Sequence, residues 1–357
     1  MAATERVDVV VIGLGPAGSR AARMAAAAGA RVVAVDRRQR AGFPVQCAEF
    51  VPALLGQELD GLNGVTAQTI DRMVTYVAGE SPHLKPDFPG RMIARDRFDA
   101  ALASAAAAAG ADCRFGQAVE AVAADGTVRL SGGDVLVPRM LIGADGPRSR
   151  AGRAIGRVNV HLVETRQVTV PLRAPHGATD IFLSPEIEGG YGWLFPKDRV
   201  ANLGAGVAPA ARGRLKAIVD GLLADLAAQG RVGRAVLART GGAIPVGGLL
   251  DPVGRLGDVP VLLAGDAAGL ANPVTGAGIS SAVISGGQAG EAAARFLAGD
   301  AAALDRYAEE LEDTFKPALD RALARRRELL ARFEGGNRPG AGELRRGWIA
   351  YPEYWAA

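Results

Sequence analysis

The sequence predicts an α/β fold: a Rossmann-type parallel sheet, interrupted by an inserted antiparallel β-sheet and followed by a C-terminal helical segment. Three observations carry this expectation. The apolar run Val7–Ile12 leads into glycines spaced G-x-G-x-x-G at Gly13, Gly15 and Gly18, then an Ala-rich stretch, then a second apolar run ending at Asp36. Two later apolar runs also end in glycine-flanked acids, at Gly143-Ala144-Asp145-Gly146 and at Gly265-Asp266. Between these, residues 158–207 are rich in strand residues and turns, which is the pattern of antiparallel pairing.

The opening unit is built to hold a dinucleotide. Gly13 allows the tight turn, Gly15 lets backbone approach a pyrophosphate, and Gly18 lets the helix pack close to the strand. Pro16 and Ala17 open a helix whose free N–H groups and partial positive charge face the phosphates. Asp36 lies 18 residues beyond Gly18, near the spacing expected for an acid that accepts ribose hydroxyls, and Arg37 follows it.

Further along, residues 92–116 read as a helix, with Phe98, Leu102 and Ala105 at helical spacing and Gly110 as the stop. Short strand signals follow at 118–123, beginning with Val119, and at 127–130, joined by Asp125-Gly126. Residues 211–238 look helical. Residues 259–298 return to strand, Gly/Pro loop and Ala-rich helix. The tail from 301 is helical, with Leu304, Tyr307, Leu311, Phe315, Leu319 and Leu323 at spacings of three and four, and Pro317 is expected to bend it.

Composition bounds the function. The chain has 357 residues, enough for two lobes, and a net charge of +3 from 41 basic and 38 acidic residues. That balance does not argue for nucleic-acid binding. Two cysteines, Cys47 and Cys113, and three scattered histidines form neither a disulfide framework nor a metal-ligand pattern. The expectation is a cytoplasmic protein without a metal, with Glu5 and Asp8 ahead of an apolar run too short for a membrane span.

The nucleotide-binding pieces are thus split among residues 1–68, 94–152 and 255–300. A substrate domain at 69–93 and 153–254 is inserted between them, and a helical segment runs over 301–357. Such discontinuous assembly suits FAD, a long cofactor whose flavin end is met by residues far along the chain. In the third piece, Asp266 is placed to bond a ribityl hydroxyl. Gly276-Ala277-Gly278 and Ile279 bring backbone N–H groups to the flavin edge, where negative charge develops on reduction. Asp145 and Gly146 support the diphosphate and ribose, and Arg95 reaches the phosphates.

At this point the chain resembles the geranylgeranyl reductase family, within the FAD enzymes shaped like aromatic hydroxylases. The resemblance runs from residue 6 to about 300. It is carried by Gly13–Gly18, Pro44-Val45-Gln46-Cys47-Ala48-Glu49, Arg95–Asp99, Gly143–Gly146, Tyr191-Gly192-Trp193-Leu194-Phe195-Pro196 and Asn272-Pro273-Val274-Thr275-Gly276-Ala277-Gly278. The Y-x-W-x-F-P element is its most discriminating mark. The aromatic hydroxylases usually carry His after G-D-A-A, where this chain reaches Gly269.

The resemblance implies flavin-dependent saturation of isolated C=C bonds, often on prenyl chains. Pro273 joins the cofactor set, with Cys47 and Ala48 beside the flavin. Cys47 is a candidate catalytic residue, as gate, proton relay or redox-sensitive thiol. Tyr191 and Trp193 are candidate catalytic residues, and together with Phe195 they wall the substrate site from one strand face. Glu49 is a weaker acid candidate.

The chain departs from the family pattern at Ala48 and Ala277, and its substrate lobe or cap is expected to be trimmed. The electron donor stays open among NAD(P)H, ferredoxin and reduced flavin, because no second G-x-G-x-x-G is present. An FAD-dependent monooxygenase acting on a hydrophobic or aromatic molecule is the enzyme alternative, and a flavin-free prenyl carrier the non-enzymatic one. Arg321, Arg325, Arg326 and Arg327 form a basic helix face suited to peripheral membrane contact. Trp348, Tyr351, Tyr354 and Trp355 concentrate aromatics in the tail.

Overall fold

The computed structural model describes residues 3–52, 55, 64–335 and 337–356; residues 56–63 of the first expected nucleotide-binding piece lie outside them. In chain order, the first part comprises β1 (Thr4–Ile12), α1 (Pro16–Ala27), β2 (Val32–Asp36), β3 (Phe50–Pro52), β4 (Thr66–Ile70), β5 (Arg72–Val77), β6 (His83–Lys85) and β7 (Gly90–Ile93). Next come α2 (Arg95–Ala108), β8 (Asp112–Phe115), β9 (Val119–Val122), β10 (Val128–Leu130), β11 (Val135–Gly143), α3 (Arg150–Ala154), β12 (Leu162–Pro171), β13 (Ala178–Leu183), β14 (Gly192–Lys197) and β15 (Val200–Val207). The last part comprises α4 (Leu215–Ala228), β16 (Ala238–Pro245), β17 (Val253–Leu256), β18 (Val259–Leu263), α5 (Ile279–Leu297), α6 (Ala303–Glu334), α7 (Ala341–Arg346) and α8 (Pro352–Trp355).

An eight-stranded sheet runs in the order β17-β18-β11-β1-β2-β8, with β10 paired to β11 and β9 to β10. Its four inner pairings, β18-β11, β11-β1, β1-β2 and β2-β8, are parallel. The central strands β1, β2, β11 and β18 are continuous aliphatic runs because helices bury them. Helix α1 lies against α5, where a side chain at Gly286 or Gly290 would overlap the backbone of Ala17 or Ala21. That closeness is what keeps β1 and β18, far apart in sequence, beside one nucleotide-binding turn.

The inserted sheet has seven strands in the order β16-β12-β15-β14-β13-β5-β6. It is antiparallel except at β13-β5. One face packs on α4 through Val168, Val170, Leu203, Val219 and Leu226. The other carries Trp193, Phe195, Ile181 and Met73. A small sheet, β3-β7-β4, joins the two halves.

Three expectations change. The helix expected over 92–116 stops at Ala108, because Gly110 takes φ +101° and residues 112–115 leave the helix to pair with β2. Cys113 therefore sits in a strand, where burial pushes its thiol up. The helix expected over 211–238 ends at Ala228, just ahead of Gly230 at φ +71°, while Pro317, expected to bend the long helix α6, lies within it. The basic face expected on that helix is not a free patch. Arg325 is buried and donates to the carbonyls of Tyr354 and Ala356, Arg326 is buried and donates to Gly189, and Arg321 lies over the Trp355 ring at 5.3 Å. These arginines fasten the tail to the body.

Candidate active site

The three nucleotide turns meet. Gly13 takes φ +97°, and a side chain there or at Gly18 would overlap backbone of the Ala144 or Gly13 turn. A Cβ built on Gly265 would stand 3.1 Å from the Ala17 Cβ, so the third turn touches the start of α1. Helix α1 begins after Gly15 with no side-chain cap, and Gly15 has open space before it. Uncapped N–H groups beside an open glycine fit a pyrophosphate. Asp36 takes the Leu14 N–H at 2.9 Å and the Arg38 N–H at 2.8 Å, which closes the loop and leaves each oxygen a second acceptor direction for ribose. Arg37 is exposed, and Val119 is buried in the core under the sheet.

Asp145 spends both carboxylate oxygens locally, on the Ser149 hydroxyl and the Arg150 N–H. It therefore orders the start of α3, with Gly146 at φ +83°, and any support it gives a nucleotide runs through that turn. Burial raises its carboxyl, and the Ser149 and Arg150 bonds oppose this.

The loop that would hold the flavin organises itself around Asn272. Its side-chain oxygen accepts the N–H groups of Val274 and Thr275, both at 3.0 Å, and its carbonyl accepts Gly276 N–H at 2.9 Å. Pro273 and Gly276-Ala277-Gly278 then lead into α5, which starts at Ile279 with no side-chain cap. A Cβ on Gly278 would come within 3.0 Å of Asp266 Oδ1. Burial pushes Asp266 up to about 6, and the Arg95 charge pulls in the opposite direction. An acid at a strand end with no hydrogen bond to its side-chain oxygens among the described residues suits a hydroxyl-bearing ligand. The residues present therefore fit FAD.

Arg95 is held by Asp99 through two bonds of 2.9 and 3.0 Å. Burial would lower the guanidinium, but Asp99 and Cys47 outweigh it and raise it. Arg95 thus stands between Asp99, the Cys47 sulfur and the Asp266 charge. The Cys47 sulfur also accepts the Glu49 N–H at 3.2 Å.

Three side chains of the inserted sheet grip this loop by its carbonyls: Gln167 holds Cys47 at 3.1 Å, Asn202 holds Ala48 at 3.2 Å, and Thr240 holds Val45 at 2.8 Å. Glu49 is no free acid. Lys197 bonds both its oxygens at 2.8 Å, Asn202 donates at 3.0 Å and the Arg95 N–H at 3.0 Å, all with Glu49 in left-handed backbone at φ 69°. The acid role expected of it gives way to that of a tie between the loop, α2, β14 and β15.

Tyr191, Trp193 and Phe195 share one face. Ring centroids are 5.7 Å apart for the first pair and 6.4 Å for the second, and Phe195 reaches Phe50 at 5.8 Å. The Trp193 indole lies over Gly204, where a side chain would collide with it, and donates to Gln167 at 3.0 Å. Gln167 so connects Trp193 to Cys47. Tyr191 donates to the Thr275 carbonyl at 2.6 Å, at the lip of the flavin loop, and burial raises its hydroxyl. The face does not open to solvent; the tail covers it, with Trp348 at 4.7 Å from Tyr191.

Comparison with known proteins decides the family. The chain is 36% identical to digeranylgeranylglycerophospholipid reductase 1 of Methanopyrus kandleri, covering 87% of this chain and 88% of that protein. The chain belongs to the geranylgeranyl reductase family of FAD-dependent oxidoreductases. The corresponding Methanocella arvoryzae reductase is 33% identical over 88% of this chain and 85% of its own length. A lycopene cyclase protein model matches residues 8–179. A geranylgeranyl bacteriochlorophyll reductase-like protein of Thermoplasma acidophilum superposes with a TM-score of 0.83 at 25% identity, over 96% of this chain and 90% of that one. The Pseudomonas aeruginosa monooxygenase PqsL shares the fold, with a TM-score of 0.71 at 19% identity over 95% of this chain and 98% of that one.

Gln167, Asn202, Lys197 and Asn272 were not anticipated. Asn202 carries a sequence signal, as the lone polar residue of Ala201–Val207, whereas Gln167 lies among Glu164, Thr165, Arg166 and Thr169 and does not stand out.

Proposed function

We propose that this enzyme saturates C=C bonds of a prenyl or other isoprenoid substrate held between the flavin loop and the aromatic face of the inserted sheet. The observation that carries this reading is the hydrogen bond from the Tyr191 hydroxyl to the Thr275 carbonyl, where that face meets the turn before α5, with Trp193 joined through Gln167 to the Cys47 carbonyl. Substrate class is supported by the names of the relatives, which are reductases of a geranylgeranyl lipid. The monooxygenase alternative rests on fold likeness alone.

Bound reduced FAD supplies a hydride; the protein must hold the alkene against it, exclude water and provide a proton for the second carbon. Tyr191, Trp193 and Phe195 give a dry, flat wall, as an unactivated alkene requires. The uncapped start of α5 offers its partial positive charge to the flavin edge. Tyr191 holds its proton toward Thr275. Cys47 holds the proton to be delivered, and the Glu49 N–H and Arg95 guanidinium stand ready to bond the sulfur once it has left. Asp36, Gly15 and Asp266 would bind the cofactor, and the Arg95 charge acts on Asp266. Electrons come from an external donor of the NAD(P)H, ferredoxin or reduced-flavin type. No described helix is long and apolar enough to cross a membrane. The exposed Trp355 on the tail supports contact with a membrane surface from outside it.

Anaerobic reduction of the purified flavoprotein with dithionite, then addition of polyprenyl alkenes, tests the reading. Reoxidation with a gain of two hydrogens per bond is expected. Turnover that needs oxygen and yields a hydroxylated product would sink it. Cys47→Ser, with a poorer proton donor, should slow reoxidation about tenfold or more without loss of flavin.

A further inference from the structure

Helix α6 carries two adjacent buried arginines whose surroundings differ sharply. Arg325 is paired at every nitrogen: Nε and Nη2 donate to the carbonyls of Tyr354 and Ala356, and Nη1 donates to the Glu328 carboxylate. Arg326 is 8% exposed and, among the described residues, donates only through Nη1, to the Gly189 carbonyl at 2.6 Å. No carboxylate charge acts on it. Burial alone lowers it to about 10, so it stays charged at neutral pH. A cation taken out of water without an opposite charge is destabilising, and a bond to one carbonyl does not require a cation.

The other two nitrogens are not sealed in. Nε and Nη2 bond nothing among the described residues, yet neither is an enclosed orphan of the kind seen at Arg166 Nε, so both still touch solvent. Their place is set by the helix. Leu330 lies against Gly189, where a side chain would come within 2.9 Å of it, and Leu329 packs in the cluster that holds Tyr191 and Trp193. Arg326 stands one turn before both, on the same side of α6. Gly189 is two residues ahead of Tyr191, whose hydroxyl meets the flavin loop at Thr275. The open edge of the guanidinium therefore lies at the margin of the aromatic face, reached by water and short of an anion.

We propose that Arg326 is a specificity-determining residue of this enzyme: its free N–H edge binds the phosphate of a prenyl phosphate whose hydrocarbon lies along the aromatic face. The inference rests on the reductase reading and deepens it by making the substrate an anion with a defined head site. A planar guanidinium matches two oxygens of a phosphate at once, and the phosphate supplies the missing counter-charge. A neutral prenyl alcohol leaves that charge unpaired. A diphosphate ester and a glycerophosphate lipid share this chemistry, and the test separates them.

The test uses the holoenzyme with the prenyl alcohol, the prenyl diphosphate and the prenyl ether of glycerol phosphate, all of one chain length. Arg326→Gln should lower kcat/KM for a phosphate-bearing substrate relative to the alcohol by about tenfold or more, chiefly through KM. Arg326→Lys, which keeps the charge without the fork, should restore part of the preference. The phosphate-bearing substrate with the larger fall identifies the source of the head. An equal fall on all substrates, the mark of a purely structural arginine, overturns the proposal. If Arg326→Gln does not fold, crystal structures of the wild-type holoenzyme with the saturated diphosphate and the saturated glycerophosphate ether decide instead. Phosphate oxygens within hydrogen-bond distance of Arg326 in either one support the head site; heads bound elsewhere in both overturn it. Phosphate on Arg326 without reduction of any alkene would leave the head site standing and remove the reductase reading. Alkene reduction indifferent to the phosphate would do the reverse.

Discussion

The two faces of the inserted sheet are made by the same strands and could hardly differ more. Toward α4 the side chains are aliphatic, with Leu194, Leu203, Ala205 and Val207 fully buried and no polar cross-links among them. Toward the nucleotide domain the rows mix aromatics with Gln167, Asn202 and Thr240, each of which spends its side chain on a distant backbone carbonyl. The first face keeps the domain folded. The second trades some close apolar packing for a fixed position of the Cys47 loop. Stability and function are therefore separable by face, and substitutions can be chosen that move one and not the other.

The largest effect on stability belongs to the helix-covered face. Leu203→Ala should lower the unfolding free energy by about 3 kcal/mol in urea titration. Turnover per folded molecule and the flavin spectrum should stay as in the wild type. A loss of turnover as large as the loss of stability would break the division.

Glu49→Gln acts on the other face and mixes both effects. It leaves the Lys197 ammonium, 23% exposed, without its partner. About 1–2 kcal/mol of stability should be lost, and the misplaced loop should lower kcat about tenfold or more. Glu49→Asp, too short to reach all three partners, should fall between. Gln167→Leu is the sharper probe. It removes two bonds but keeps volume, so the melting temperature should move by only a few degrees. The rate of reoxidation by alkene should still fall about tenfold, because Trp193 and Cys47 are no longer tied together.

The smallest effect concerns pH. Asp266 is raised by burial to about 6, so its charged form is disfavoured in the folded protein. The contribution of the neutral Asp266 to the stability of the apoprotein is fully present below the ordinary carboxylate range. That contribution, about 1–2 kcal/mol, should be lost as pH rises through about 6. Asp266→Asn should abolish that loss and melt a few degrees higher at neutral pH, yet bind FAD more weakly. Parallel pH profiles for the two proteins would show that Asp266 is not the group responsible.

The nucleotide half was legible in the sequence because its demands are local. Gly13, Gly18 and Gly265 are glycines for reasons of backbone angle and overlap, and short turns, six residues long for the first two, display them. The aromatic triplet was legible for the same reason, since alternation along one strand puts Tyr191, Trp193 and Phe195 on one side. The cross-links were not. Gln167 meets Cys47 across 120 positions, Lys197 meets Glu49 across 148, and Asn202 meets Glu49 across 153. No short-range pattern announces such pairs. Glu49 looked like an acid awaiting chemistry because its partners lie on strands folded back from far away. The arginines of α6 misled for a related reason, since spacing along a helix shows which residues share a face but not that the chain's own tail will cover it.

The division of labour between the faces is tested most directly by anaerobic single turnover. Prereduced wild-type enzyme, Leu203→Ala and Gln167→Leu are each mixed with a prenyl alkene, and the return of oxidised-flavin absorbance is timed. The account predicts that Leu203→Ala keeps the wild-type rate and Gln167→Leu is slowed about tenfold. Equal rates in all three, or no return of absorbance until oxygen is admitted, would contradict it.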